Sequence, residues 1–252
     1  MIAITRDVSP AITSCELTHL ARHSIDLDRA IQQHAAYENA VRSLGVEIRR
    51  ASPAPELPDS VFVEDTAIVL DEVAIITRPG AESRRPEAAA VAEVLAEFRP
   101  LLHLVSPATL DGGDVLRVGR TLYVGRSSRT NHEAIAALRQ LLKPFDYRIV
   151  PVQVSGCLHL KSAATQIGER LLLVNPHWLA ASDFAGIERI EIDESEPHAA
   201  NALRIGDTLI YPAHFPRTLE QLDYRGLQIA TVECDELAKA EGAVTCCCVL
   251  VD

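Results

Sequence analysis

No stretch of this sequence approaches the roughly 18–20 consecutive apolar residues that a transmembrane helix requires. The opening residues, Met1-Ile2-Ala3-Ile4-Thr5-Arg6-Asp7, lack a basic segment followed by an apolar one. A secretory signal is therefore not expected, and a cytoplasmic location is. There is no C-x-x-C pair, which argues against a closed structural zinc site. The six cysteines, Cys15, Cys157, Cys234 and the run Cys246-Cys247-Cys248, are expected to be reduced thiols. Linkers and low-complexity runs are absent too, so residues 1–252 read as a single domain. Positive charge is scarce: 24 Lys+Arg stand against 35 Asp+Glu, a net charge of −11. That balance argues against nucleic acid or an anionic membrane as partner, because both need a basic face.

What is present is an ordinary globular composition, 48% apolar and 23% charged, with a weak internal repeat. The repeat is an apolar strand, a tight turn and a second apolar strand. Its turns fall near Asp71, Gly119, Gly168 and Gly206, separated by 48, 49 and 38 residues. Helical patterns lie between most copies. Ala30, His34, Tyr37, Val41 and Leu44 keep 3–4 spacing up to Gly45. Pro86 opens a run of helix formers over residues 87–98. Thr130-x-x-Glu133 and Thr218-x-x-Gln221 each have the form of a capping box. Two apolar strands remain at the ends, residues 2–4 and 247–251; if they pair, they complete a fifth hairpin and close a ring of ββαβ units.

The repeat also orders the chemistry. Glu64 and Asp65 precede the first turn, Asp111 and Asp114 the second, and His159 the third, while Cys246 precedes the terminal strand. In a ring, equivalent phases point to one end of the axis, so these residues should converge on one pocket. Cysteine with histidine and carboxylates suits nucleophilic attack at a trigonal carbon. Carboxylates raise a thiol's pKa rather than lower it, so the set makes sense chiefly if the substrate is itself a cation. A guanidinium, planar and forked, matches that description.

At these residues the chain resembles the dimethylarginine dimethylaminohydrolase family of the guanidino-group-modifying superfamily. The matching segments include Leu57-Pro58-Asp59-Ser60-Val61-Phe62-Val63-Glu64-Asp65, residues 76–85, Leu110-Asp111-Gly112-Gly113-Asp114-Val115, and Ser128-Arg129-Thr130-Asn131. Further along come Leu158-His159-Leu160-Lys161, Ala199-Ala200-Asn201 and residues 242–250. The resemblance implies a five-bladed α/β propeller of ββαβ modules, the pentein fold. It implies Cys246 as nucleophile, His159 as general acid and base, and Asp111 as the carboxylate that orients it. Asp65 would bind the guanidinium, with Glu64 and Asp59 helping to hold the substrate. Arg84 and Arg129 would grip its α-carboxylate, Ile12 would cover it as a lid residue, and the backbone at Ala240 would meet its amino group. Neither metal nor organic cofactor is implied. The implied partner is a small cationic amino acid, an Nω-methylated arginine hydrolysed to citrulline.

Three other readings stand beside this one. Strand alternation over residues 246–248 puts Cys246 and Cys248 on one face, so Cys248 is a second candidate nucleophile. Arginine and agmatine deiminases share the chemistry but carry an aspartate two residues after the histidine, where this chain has Lys161. A non-catalytic propeller is the third, although it would have no reason to keep Cys246, His159 and Asp111 in phase. The sequence leaves the choice between monomer and homodimer open.

Overall fold

Two of the strand–turn–strand units close through glycines in the left-handed region, where a side chain would be strained. Gly119, at φ +58°, joins Val115–Val118 to Thr121–Arg126, and Gly206, at φ +59°, joins Leu203–Ile205 to Thr208–Pro212. In the computed structural model, which describes residues 1–180 and 182–252, both pairs are antiparallel. So are the hairpins Ala67–Val69 with Ala74–Ile76 and Ala164–Gly168 with Leu171–Val174. In each unit a third strand returns parallel to the second: Leu101–His103, Arg148–Gln153, Glu188–Glu191 and Gln228–Val232. The chain ends supply the fifth unit. Ile2–Thr5 pairs antiparallel with Val249–Val251 and parallel with Glu47–Arg50. Five three-stranded sheets thus form the five-bladed α/β propeller, closed by its terminal strands.

A parallel return needs a crossover, and among the described residues helices provide it in four of the units. Leu27–Ser43, Ala88–Leu95, His132–Leu141 and Pro216–Tyr224 bury apolar stripes such as Tyr37 and Val41, or Ile135 and Leu138, against their sheets. No helix among the described residues is long and apolar enough to cross a membrane. The first strand of each hairpin lies innermost: Val115–Val118 adjoins Ala164–Gly168, which adjoins Leu203–Ile205, and Val249–Val251 adjoins Ala67–Val69. Segments that lead into these inner strands therefore meet around the axis.

Four local expectations need correction. The helix expected over residues 87–98 is a 3₁₀ turn, Glu82–Glu87, that absorbs Pro86, followed by Ala88–Leu95. Asn131, not Thr130, caps the third helix by accepting from the Ala134 amide at 3.0 Å; the Thr130 hydroxyl is drawn to Asp114 at 2.6 Å. Thr218 lies inside its helix, whose first amides, Arg217 and Thr218, donate at 2.9 and 2.8 Å to the distant Glu196 carboxylate. The last strand begins only at Val249, because residues 244–247 form a turn tied to Ala243 and Glu64. Alternation therefore does not sort the cysteines. Cys247 and Cys248 are both buried in the core, and Cys246 alone of the three is half-exposed.

Candidate active site

The segments before the inner strands approach so closely that side chains would not fit between them. A Cβ on Gly112 would overlap the Glu64 carbonyl, and one on Gly113 would fall 2.7 Å from His159 Nδ1 and 2.8 Å from Asp65 Oδ1. With no Cβ there, the two loops can touch. The Gly113 amide donates to Asp65 Oδ1 at 2.9 Å, and the Gly80 amide donates to Asp111 Oδ1 at 2.8 Å.

His159 stands in the middle of these groups, 4% exposed. Its Nε2 is 3.0 Å from Asp111 Oδ2, and its Nδ1 is 3.8 Å from Asp65 Oδ1. Burial by itself lowers a histidine's pKa. The Asp65 charge, the bond to Asp111 and the nearby Asp114 outweigh it and raise His159 to about 9, so the ring is protonated at neutral pH. Asp65 shows the converse: burial pushes it up, but His159, Arg84 and the Gly113 amide together hold it at about 2. Asp114, buried beneath, accepts from Ser127, Thr130 and the Leu160 amide at 2.5, 2.6 and 2.9 Å, which fixes the start of the segment carrying His159.

Asp59, Asp65, Arg84, Arg129, His159, Ala240 and Cys246 line one narrow cleft of about 280 Å³. Asp111 lies behind His159 and 3.6 Å from Arg129 Nη1. Cys246 reaches the cleft because its carbonyl accepts from the Glu64 amide at 3.1 Å and its own amide donates to the Ala243 carbonyl at 3.1 Å. Burial first, then the Glu64 and Asp65 charges, push its thiol well above the usual range. A cation beside it would oppose all three effects. Asp65, Asp111 and His159 bring one ligand atom each within 4.8 Å. Any metal there would have to displace the His159 proton and the Arg84 partner of Asp65, so the trio suits proton transfer better than coordination.

Three expected residues are placed differently. Ile12 is fully buried in the core among Cys15, Val61 and Phe62, and Glu16 is the N-terminal-loop residue on the cleft. Glu64 is bound by Lys161 Nζ at 2.7 Å and the Thr245 hydroxyl at 2.8 Å, and it faces a separate cavity of about 870 Å³ with Lys161 and Cys248. Its carboxylate is therefore consumed by the protein. Arg84 lines the cleft but directs its guanidinium to Asp65 at 2.6 Å, Glu87 at 2.8 Å and the Phe62 carbonyl at 3.1 Å. Arg129, by contrast, lines the cleft with a buried Nη1 that has no hydrogen-bond partner and lies 3.6 Å from Asp111. The sequence reading also missed residues. Asn201 donates to the Lys161 carbonyl and Thr245 Oγ1 at 3.0 and 2.9 Å, and accepts from the Thr245 amide at 3.0 Å. Its signal was available: Asn201 precedes the Gly206 turn by five residues, as Asp114 precedes the Gly119 turn.

This geometry can be set beside known proteins. The profile of the family "N,N dimethylarginine dimethylhydrolase, eukaryotic" matches residues 17–203. A Streptomyces coelicolor protein named N(G),N(G)-dimethylarginine dimethylaminohydrolase is 39% identical over 97% of this chain and 94% of its own. The chain belongs to the dimethylarginine dimethylaminohydrolase family. The dimethylarginine dimethylaminohydrolase of Pseudomonas aeruginosa, solved as a cysteine-to-serine mutant complexed with citrulline, superposes with a TM-score of 0.93. It is 32% identical, over 98% of this chain and 97% of that one. The N-terminal domain of a cyanobacterial arginine dihydrolase shares the fold at a TM-score of 0.83 and 19% identity, covering 98% of this chain and 96% of that one.

Proposed function

We propose that this chain hydrolyses Nω-methylated arginines, asymmetric dimethylarginine and monomethylarginine, to citrulline and dimethylamine or methylamine. One observation carries the reading: in a chain of this family, a partly exposed Cys246 and a His159 held by Asp111 line the same cleft. The cationic guanidinium binds beside Asp65 and offsets the burial and the negative charges that keep the Cys246 thiol protonated. The thiol proton leaves to solvent, and the thiolate adds to the guanidinium carbon. His159, carrying its proton, donates it to the departing dimethylamine, which leaves a cationic thiouronium on Cys246. Neutral His159 then takes a proton from water as the hydroxide adds. Collapse expels the Cys246 sulfur, which takes the hydroxyl proton to restore the thiol, and releases citrulline.

Arg129 is the candidate holder of the α-carboxylate, because it lines the cleft and its Nη1, though 3.6 Å from the Asp111 carboxylate, makes no hydrogen bond. Lys161, where the deiminases carry an aspartate, pairs with Glu64 and so leaves fewer acidic groups for the guanidinium, which suits methyl groups that donate no hydrogen bond. We read the 252 residues as one catalytic domain that works in the cytoplasm, where six unpaired thiols persist. Incubation with asymmetric dimethylarginine should yield equal amounts of citrulline and dimethylamine. Cys246→Ser should abolish turnover, and Cys248→Ser should retain it. No product, or faster turnover of unmethylated arginine, overturns the assignment.

A further inference from the structure

Residues 16–24 form no helix or strand, and most of them are exposed. Leu17 and Leu20 are only half-buried, so apolar packing contributes little to holding this segment across the cleft mouth. Glu16 lines the substrate cleft, and His19 and Leu20 line an adjoining cavity of about 920 Å³. Glu241 and Gly242 line both spaces as well.

One of these two residues reaches the segment. The Glu241 carboxylate accepts from the backbone amides of Thr18, His19 and Leu20 at 2.9, 2.6 and 2.7 Å, across more than 220 residues of chain. Three amides converging on one carboxylate make a charge-assisted nest for a carboxylate that is not wholly screened by solvent. The neighbouring contacts extend the same clasp. Arg129 Nη2 donates to Thr18 Oγ1 at 3.2 Å, and the Glu16 amide donates to Asp59 at 3.1 Å. The segment is therefore fastened to two residues that themselves line the cleft.

Glu241 also occupies a position that side chains avoid. It follows the short helix Asp235–Ala238 at φ +58°, where helix ends favour glycine, and a glycine stands next to it at 242. A glutamate kept at that backbone position is strained, and its carboxylate contacts are what offset the strain. Glu241 itself lines the cleft, together with Ala240 before it and Gly242 after it.

We propose that Glu241 is a positioning residue for substrate binding: its carboxylate latches residues 18–20 over the cleft and thereby sets affinity for the amino-acid end of the substrate. The inference rests on the methylarginine reading above. Glu241→Gly separates the latch from a merely structural role, because glycine relieves the backbone strain while removing the carboxylate. The melting temperature should stay level or rise, and hydrogen exchange at amides 18–20 should quicken at least about tenfold. KM for asymmetric dimethylarginine should rise about tenfold and kcat change less than about threefold, with Glu241→Gln, which keeps one accepting oxygen, in between. Unchanged exchange overturns the latch. Faster exchange with unmoved KM overturns its link to substrate, and a fall in melting temperature matching the loss of affinity reduces Glu241 to a structural residue. Should the parent protein fail to turn over dimethylarginine, the functional reading falls alone, since exchange and citrulline binding measured by calorimetry still decide the latch.

Discussion

A protonated imidazole between two carboxylates, out of water, ties the stability of this protein to its acid–base chemistry. His159 has a folded-state pKa raised from 6.5 to about 9. Such a group contributes stability that is fully present below its unfolded pKa and is lost as pH climbs through the folded one. The protein should therefore lose stability between about pH 6.5 and pH 9. His159→Gln, which cannot titrate, should flatten that stretch of the curve. Chemical denaturation across this range checks it, and parallel profiles for parent and variant would remove His159 as the source. At this scale the sequence disclosed residue types better than their partners. The carboxylates at 64, 65 and 111 were legible as an acidic cluster. The pairing of Asp111 with His159 was implied by the family resemblance; those of Glu64 with Lys161 and of Asp65 with Arg84 were not, since Lys161 comes from another module and Arg84 from a 3₁₀ turn that no spacing marks. The cluster is an assembly of matched pairs rather than an open acidic surface, which sharpens the charge argument. Arg129 Nη1 remains without a hydrogen-bond partner, and Asp59 is a buried carboxylate whose pKa is raised first by desolvation, with Arg84 opposing.

Local grammar and long-range contacts compete wherever an element begins or ends. Thr130-x-x-Glu133 and Thr218-x-x-Gln221 fit the capping-box pattern, yet neither threonine caps. Thr130 turns to Asp114 because the site needs that carboxylate held, and Asn131, one residue on, takes the cap. Thr218 accepts from the Asp193 amide, and Glu196 satisfies the helix amides instead. The hairpins at Gly119 and Gly206 were legible because a two-residue turn with glycine leaves the chain little choice. The turn before the last strand was not, since it depends on the Glu64 amide, far away in sequence. A prediction separates the two kinds of cap. Glu196→Ala strands the Arg217 and Thr218 amides and should cost about 1–2 kcal/mol, the range for a lost helix cap. Gln221→Ala, at the position local grammar favours, should stay within about 0.5 kcal/mol. Urea denaturation of both variants reads the difference, and equal effects would return the cap to Thr218-x-x-Gln221.

The ring as a whole is closed without a covalent link. Ile2 pairs with Val251, Ala3 with Leu250 and Ile4 with Val249, so the fifth sheet exists only when the chain ends meet. This closure also holds the turn that carries Cys246, which leads directly into Val249–Val251. Catalytic geometry and ring closure thus depend on the same pairing. Nothing in that arrangement requires the break to lie where it does. Joining residue 252 to residue 1 with a short flexible linker should keep the sheet intact, because the ends already run side by side. New ends can be opened after Pro216–Tyr224, where Tyr224 is 93% exposed and the chain turns at Gly226 before the next strand. This permutant should fold cooperatively and retain methylarginine turnover within about threefold, since the inner strands and the segments before them are untouched. Loss of activity in a permutant that still melts cooperatively would show that free ends contribute to the site. Failure to fold would show that the fifth sheet needs its ends unlinked to assemble.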